Sequence, residues 1–201
     1  MASYAQSIQN LINQFAALPG IGMRSAERIA FHLLKAKPED ALRLADAIRD
    51  VKTRIRHCAT CYNLSEGELC DICADPSRDP TVVCVVEQPK DLLALESAGS
   101  YKGVYHVLLG RIAPLEGVEP GDVTIDALLE RLQSGQVREL IMGTNPNLEG
   151  DGTALHIQHE VSRRFPDIQI SRLARGLAAG SNIEYANKSV LADALEGRQR
   201  M

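Results

Sequence analysis

A chain of 201 residues has room for one large domain or two small ones, and 45% apolar content can fill a core. Aromatic residues make up 4% and tryptophan is absent, which argues against base stacking as the main grip on any nucleic acid. No apolar run nears the roughly 20 residues of a membrane span, and "MASYAQSIQNLINQF" lacks the flank and apolar stretch of a secretory signal, so a cytoplasmic protein is expected. The net charge of −4 hides an asymmetry. Residues 1–56 hold nine Lys/Arg against five Asp/Glu, and residues 57–201 hold thirteen against twenty-one. A basic head on an acidic body can bind phosphates with the head alone, so the overall charge does not exclude DNA.

In chain order, Ile8, Leu11, Ile12 and Phe15 recur at helical spacing and predict a helix over 3–16. "LPGIG" (18–22) breaks it. A second helix is expected over 23–35 and a third from Pro38, with Ala41, Leu42, Ala45, Ile48 and Val51 as its apolar face. Gly20 and Gly22 allow a tight turn, Ile21 can plug into a core, and the amides of the turn and of the following helix then point outward as an anion site. Arg24 and Arg28, four apart, lie on one face beside it. This is the pattern of a helix-hairpin-helix, which holds a DNA backbone phosphate without reading bases; the bland alternative is an ordinary turn with two solvated arginines.

Cys58, Cys61, Cys70 and Cys73 follow as C-x2-C-x8-C-x2-C. Two such knuckles on a short loop bring four thiolates to the corners of a tetrahedron, which is zinc geometry, and leave no open position for a catalytic water. "YNLSEGEL" between them has little apolar area of its own, so the metal would supply the core. Two disulfides fit poorly in a cytoplasmic chain, and paired redox motifs this close would be unusual. His57 reads as a solvated loop residue able to stand in for a neighbouring ligand, and Cys84 as a small core residue. "DPSRDP" (75–80) reads as a linker.

From Thr81 the pattern changes. "TVVCVV" (81–86), "VYHVLL" (104–109), "ELIMG" (139–143) and "IQISRL" (168–173) predict strands, with helices expected over 89–98, 122–134 and 150–165. Alternation of this kind implies a parallel sheet covered on both faces. A last helix is expected over 187–196. Ligands of open α/β sheets collect at the carboxyl ends of strands, and both Glu87 and "TNPNLEGD" (144–151) belong at that edge. The arrangement resembles the Toprim domain of topoisomerases, primases and some nucleases, in which a strand-end glutamate works with an Asp-x-Asp pair. Here Glu87 matches the glutamate, while the pair falls on Asn145 and Asn147. Neutral amides in place of two carboxylates should weaken Mg²⁺ binding sharply. Glu149 and Asp151 remain, at a helix start where acids are also favoured as dipole partners.

The module order is more specific than any module alone. An α/β multi-module chain is expected: an N-terminal helix-hairpin-helix (1–56), a four-cysteine zinc finger (57–75), a Toprim-like parallel sheet with flanking helices (80–175), and a C-terminal loop and helix (176–201). On "LPGIGMRSAERIAFHLL", the four cysteines, "VVEQPKDLLALE", "YHVLLGRIAPLEG", "TNPNLEGDGTA" and "RLARGLAAGSNIEYANKSVLADALEGR", the whole chain resembles the RecR family of bacterial recombination mediators. "AAGSN" (178–182) departs from the Val-Gly-Gly-like text expected in that family. The resemblance implies a protein without catalysis of its own, carrying one structural Zn²⁺ per chain. It would bind single- and double-stranded DNA without sequence preference at Gly20, Gly22, Arg24 and Arg28, be associated with the bacterial nucleoid, and form a homodimer or a ring-like homotetramer. It would act with RecO and RecF to help load the recombinase at single-strand gaps. Glu87, Asn145, Asn147, Glu149 and Asp151 would then be a binding surface or a simple cap on the sheet. Arg172, Arg175 and nearby glycines match no nucleotide fingerprint, and the tail with Val190, Leu191, Ala194 and Leu195 would serve subunit association or core packing. Competing readings are a Mg²⁺-dependent nuclease or primase using Glu87, Glu149 and Asp151, and a zinc-bearing assembly protein that never touches DNA. Tyr101, Tyr105 and Tyr185 lack the supporting pattern of a topoisomerase nucleophile.

Overall fold

A computed structural model describes residues 4–198, which divide into two compact units, 1–55 and 56–201. The helix expected over 3–16 is described from Gln6, Ser3 lying outside the described residues, as do the last three residues of the C-terminal segment.

The first unit holds α1 (Gln6–Ala16), α2 (Met23–Lys35) and α3 (Pro38–Arg54). Its buried core is Ile12, Ala26 and Ala30, with Ile8, Phe15, Ala16 and Ile21 packed around them. Two alanines on α2 leave no bulk between the helices, so α1 and α2 approach closely and Ile21 seals the turn, as its position in "LPGIG" predicts. Tyr4 hydrogen-bonds Glu27 and sets its ring edge-on to Phe31. The third helix has the predicted stripe, yet none of its residues is buried, and Leu42, Ile48 and Val51 face solvent.

The second unit begins with β1 (Arg56–His57) and β2 (Leu64–Ser65), an antiparallel pair framing the cysteine loop, then α4 (Asp71–Ala74). There follow β3 (Asp79–Val86), α5 (Pro89–Ser97), β4 (Gly103–Val107), α6 (Ile125–Leu132), β5 (Glu139–Met142), α7 (Leu148–Arg164), β6 (Gln169–Arg172) and α8 (Lys188–Glu196). The four long-range strands form one parallel sheet in the order β4-β3-β5-β6. Alternation along β3 assigns its side chains. Val83 and Val85 join Leu140, Met142, Leu128, Leu132, Ile157 and Val161 under α6 and α7. Cys84 and Val86 join Tyr105, Val107 and Leu92 under α5, with Tyr62 and Ile72 of the cysteine loop against them. Burial pushes the Cys84 thiol up to about 12, in keeping with a core residue.

Residues 75–80 are not a free linker. Asp79 and Pro80 already belong to β3, and the register with β4 shifts between Asp79 and Val83, where proline has no amide to give the ladder. Arg78 grips Glu96 of α5 with two bonds of 2.8 and 2.6 Å and reaches the carbonyls of Tyr101 and Gly103 at 3.4 Å. Pairing with Glu96 raises the arginine above its usual range and lowers the acid below its own. A fixed, largely buried side chain in a segment of turn formers is what local composition could not announce.

Leu128→Ala empties a fully buried position between α6 and the sheet. The variant should lose about 2–5 kcal/mol of stability in the second unit, read from urea unfolding followed by circular dichroism.

Candidate nucleic-acid interface, metal centre and strand-end site

The hairpin turn is built by backbone bonds, Leu18 N–H to Phe15 O and Ile21 N–H to Leu18 O, both 3.1 Å. Gly20 sits at φ 76°, in the left-handed region that L side chains rarely enter. Gly22 is the N-cap of α2 and supplies no capping side chain. Its carbonyl takes the amides of Ser25 and Ala26 at 3.0 Å, which leaves the amides of Met23 and Arg24 pointing out of the helix start. Arg24 and Arg28 are exposed, and neither forms an ion pair among the described residues. Free amides, a helix dipole and two unpaired guanidinium groups on one small surface suit an oxyanion such as phosphate.

The four cysteines converge. Their Sγ atoms lie within 4.8 Å of one another, with Cys58, Cys61 and Cys70 buried and Cys73 half-buried. A tetrahedron with Zn–S near 2.3 Å has edges of about 3.8 Å, which this set can meet. Cys61 and Cys70 stand 3.5 Å apart, and all four are free thiols. The Cys73 thiol beside it and burial both push Cys61 far up, and burial also raises Cys70. Burial acts the same way on Cys58, but amide bonds from Cys70, Cys61 and Thr60 outweigh it and bring that thiol down to about 7. Four thiols packed this closely can lose their protons together only against a cation, and the donor set fits zinc. Cys58, Cys61, Cys70 and Cys73 form a closed, structural zinc site. His57 is not one of this group, and its Nδ1 lies 3.1 Å from Tyr62 O.

At the carboxyl edge, chain direction diverges between β3 and β5, since β3 leads outward to β4 and β5 leads the other way to β6. Glu87 follows β3 directly and Asn145 follows β5, and the two meet in that crevice. Asn145 donates its backbone N–H to Glu87 Oε1 at 2.8 Å and its Nδ2–H to Oε2 at 2.7 Å, and Glu87 is only 5% exposed. Asn147 has a different task. As N-cap of α7 its Oδ1 accepts from Gly150 N at 2.8 Å. Gly150 is pressed into the same corner, where an added Cβ would meet Asn145 O at 2.2 Å and Glu87 Oε1 at 2.7 Å. Thr144 completes the turn, donating to Gly150 O at 2.9 Å.

The remaining acids do not join Glu87. Asp151 is held by both Arg175 and Arg172, and the Arg175 contact first of all keeps its carboxyl below the usual range. Above the ordinary aspartate range this pairing stabilises the fold, and acid removes it. These two arginines, which fit no phosphate fingerprint by spacing, have their partner within the chain. Glu149 lies apart, on a groove of about 560 Å³ with Ile112, Pro114, Leu115, Leu148 and His156. The 112–118 loop on that groove is tied by hydrogen bonds. Ala113 and Val118 exchange backbone bonds of 3.0 and 3.1 Å, Ile112 N–H donates to Thr153 Oγ1 at 2.9 Å, and Arg111 grips Glu116. Leu115 and Leu148 are nevertheless wide open to solvent. Sequence reading missed this surface; two leucines flanking turn residues, off any helical stripe, were its one available signal. Among the described residues, the zinc cysteines are the one His/Cys/Asp/Glu group whose ligand atoms approach closely enough to share an ion.

Asn145→Asp replaces an amide donor with a carboxylate against a buried glutamate. The variant should be about 1–3 kcal/mol less stable at pH 7. Paired carboxyls raise one pKa above its unfolded value, so the deficit should shrink as pH falls toward 5, and Mn²⁺ should restore part of it at pH 7. Thermal unfolding across pH, with and without Mn²⁺, reads all three effects.

Comparison with known proteins adds to this geometry. Residues 8–52 match the RecR helix-hairpin-helix family, residues 55–75 the RecR four-cysteine zinc finger domain, and residues 81–174 a Toprim domain. The chain is 56% identical to the recombination protein RecR of Rhodopirellula baltica and 51% identical to that of Rubrobacter xylanophilus, in each case over 201 residues and 100% of both chains. With the RecR of Acidothermus cellulolyticus it shares 50% identity over 198 residues, 98% of each chain. A helix-hairpin-helix, a four-thiolate zinc site and a Toprim sheet whose glutamate is bonded to an asparagine thus follow one another in a chain that matches these relatives from end to end, and the chain belongs to the RecR family of recombination proteins.

Proposed function

We propose that this chain is a DNA-binding recombination mediator that works with RecO and RecF to help load the recombinase at single-strand gaps, and that its Toprim sheet is a binding surface without catalysis. The observation that carries the reading is the Glu87–Asn145 contact. Both oxygens of the glutamate accept amide N–H groups from one residue, so the carboxylate has its charge answered without a cation. Asp151 is likewise occupied by Arg172 and Arg175. A Mg²⁺-dependent nuclease or primase would have to break both arrangements to assemble Glu87, Glu149 and Asp151 around an ion.

The DNA contact in this reading is the hairpin. Gly20 and Gly22 shape the turn, and Arg24 and Arg28 neutralise backbone phosphates of single- or double-stranded DNA without reading sequence. Membership of the family supports homo-oligomers. So do the exposed Leu42, Ile48 and Val51 of α3 and Ile183, Tyr185 and Leu195 of the C-terminal segment, since apolar side chains in such number call for a cover. Among the described residues no helix is long and apolar enough to cross a membrane. A mediator of this type would work in the cytoplasm at the nucleoid. The groove beside Glu149, with Leu115 and Leu148 projecting from ordered backbone, is the surface offered to a protein partner, because pre-ordered apolar anchors bind at low entropic cost.

Arg24→Ala with Arg28→Ala should weaken DNA binding and reduce the slope of log affinity against log salt by about two, measured by fluorescence anisotropy on single-stranded, double-stranded and gapped DNA. An unchanged slope removes the hairpin from the interface. Leu115→Ser with Leu148→Ser should leave DNA binding intact and lower affinity for RecO or RecF about tenfold or more by calorimetry. Cleavage or synthesis on labelled DNA with Mn²⁺, abolished by Glu87→Gln, would overturn the non-catalytic reading.

A further inference from the structure

The zinc loop touches the sheet at three places, and each lies on or beside a metal ligand. The carbonyl of Cys61 accepts the amide of Val107 at 2.8 Å. Tyr62, the next residue, sets its ring against the imidazole of His106, with centroids 5.6 Å apart. Tyr62 and Ile72, the residue before Cys73, pack on the cluster of Cys84, Val86, Leu92, Tyr105 and Val107.

These contacts fall on an edge strand. Among the described residues, β4 pairs with β3 on one side and with no strand on the other. Amides alternate in direction at its end: the N–H of Leu108, just past the strand, points inward and donates to Val86 O at 2.8 Å, whereas Val107 N–H points outward to Cys61. Val107 is fully buried, so without Cys61 its amide would have neither water nor a ladder partner. Tyr62 is held at φ 62°, in the left-handed region, an unusual place for an aromatic residue that the surrounding contacts must impose. On the other side of the ring contact, His106 is buried, and its Nε2 lies 3.0 Å from both the carbonyl and the hydroxyl of Thr124 at the start of α6. Burial holds the imidazole down to about 4, so it meets Tyr62 as a neutral ring.

We propose that the zinc site and strand β4 are thermodynamically one element: the metal holds Cys61 and Tyr62 where they close the outer edge of the sheet, and Val107 and His106 hold Cys61 and Tyr62 for the metal. Linkage makes the effect reciprocal, so whatever zinc contributes to closing β4, β4 returns as zinc affinity. Tyr62 is then a positioning residue for a metal it does not ligate, the kind of supporting partner whose loss commonly lowers metal affinity about 10–100-fold.

The full-length protein tests this by residue-resolved amide exchange in NMR, with zinc bound and after chelation. Removing zinc should speed exchange at Val107 by about tenfold or more and leave Leu108, whose bond is internal to the sheet, within about threefold. In parallel, Tyr62→Asn, a residue that tolerates the left-handed backbone, should bind zinc about tenfold more weakly in competition with a chromogenic chelator. The same variant loaded with Co²⁺ should retain tetrahedral thiolate absorption bands. Undisturbed protection of Val107 after chelation overturns the proposal. Equal loss of protection across β3, β4 and β5 also overturns it, since zinc would then support the whole unit and not this edge, and so does wild-type zinc affinity in Tyr62→Asn. Should that variant not fold, the exchange experiment on the unaltered chain decides alone.

Discussion

Two hydrogen bonds from one asparagine to one buried glutamate set the terms for the rest of the sheet unit. Glu87 stands at the end of β3, and Asn145 supplies both an amide of the main chain and one of its side chain. The ends of β3 and β5 are thereby tied without an ion. That tie fixes where α7 begins, because Gly150 must come within van der Waals reach of the same two residues and Asn147 must cap the helix over it. A charge-assisted bond in a largely desolvated corner is stronger than its surface counterpart.

The three modules are held together in different ways. Among its described residues the hairpin unit buries Ile12, Ala26 and Ala30, and adds close contact through alanine. The cysteine loop substitutes a metal for a core, and borrows apolar surface from the sheet through Tyr62 and Ile72. The sheet unit has a conventional two-faced core, unequal in size: two helices cover the face bearing Val83 and Val85, and α5 with the zinc loop covers the other.

Much of this was legible before the fold was known, because the informative signals are local. Four cysteines at fixed spacing, glycines at 20 and 22, and short β-branched apolar runs such as "TVVCVV" need no tertiary context to be read. Placing Glu87 and Asn145 at one edge followed from setting both after parallel strands, but the bond between them did not. What escaped was long-range. Nothing near Asp151 in the chain says that Arg172 and Arg175 will take it. The stripe on α3 announces an apolar face correctly but not that the face stays uncovered within one chain. Tyr62 looks like an ordinary loop residue until its left-handed backbone and the ring of His106 are seen together. Leu115 sits among turn formers, where an apolar side chain carries no periodic signature at all.

Arg78 has a consequence for how such a chain can be altered over evolution or by design. Proline, aspartate and serine around it suggest a stretch where extra residues would pass unnoticed. Its guanidinium, however, staples the start of β3 to α5 and to the backbone entering β4. An inserted residue beside it would have to shift the staple or bulge the strand. The distance in sequence between zinc loop and sheet should therefore be nearly invariant in length, while the segment around Ala178–Gly180, exposed and without such an anchor, is the place where length can drift.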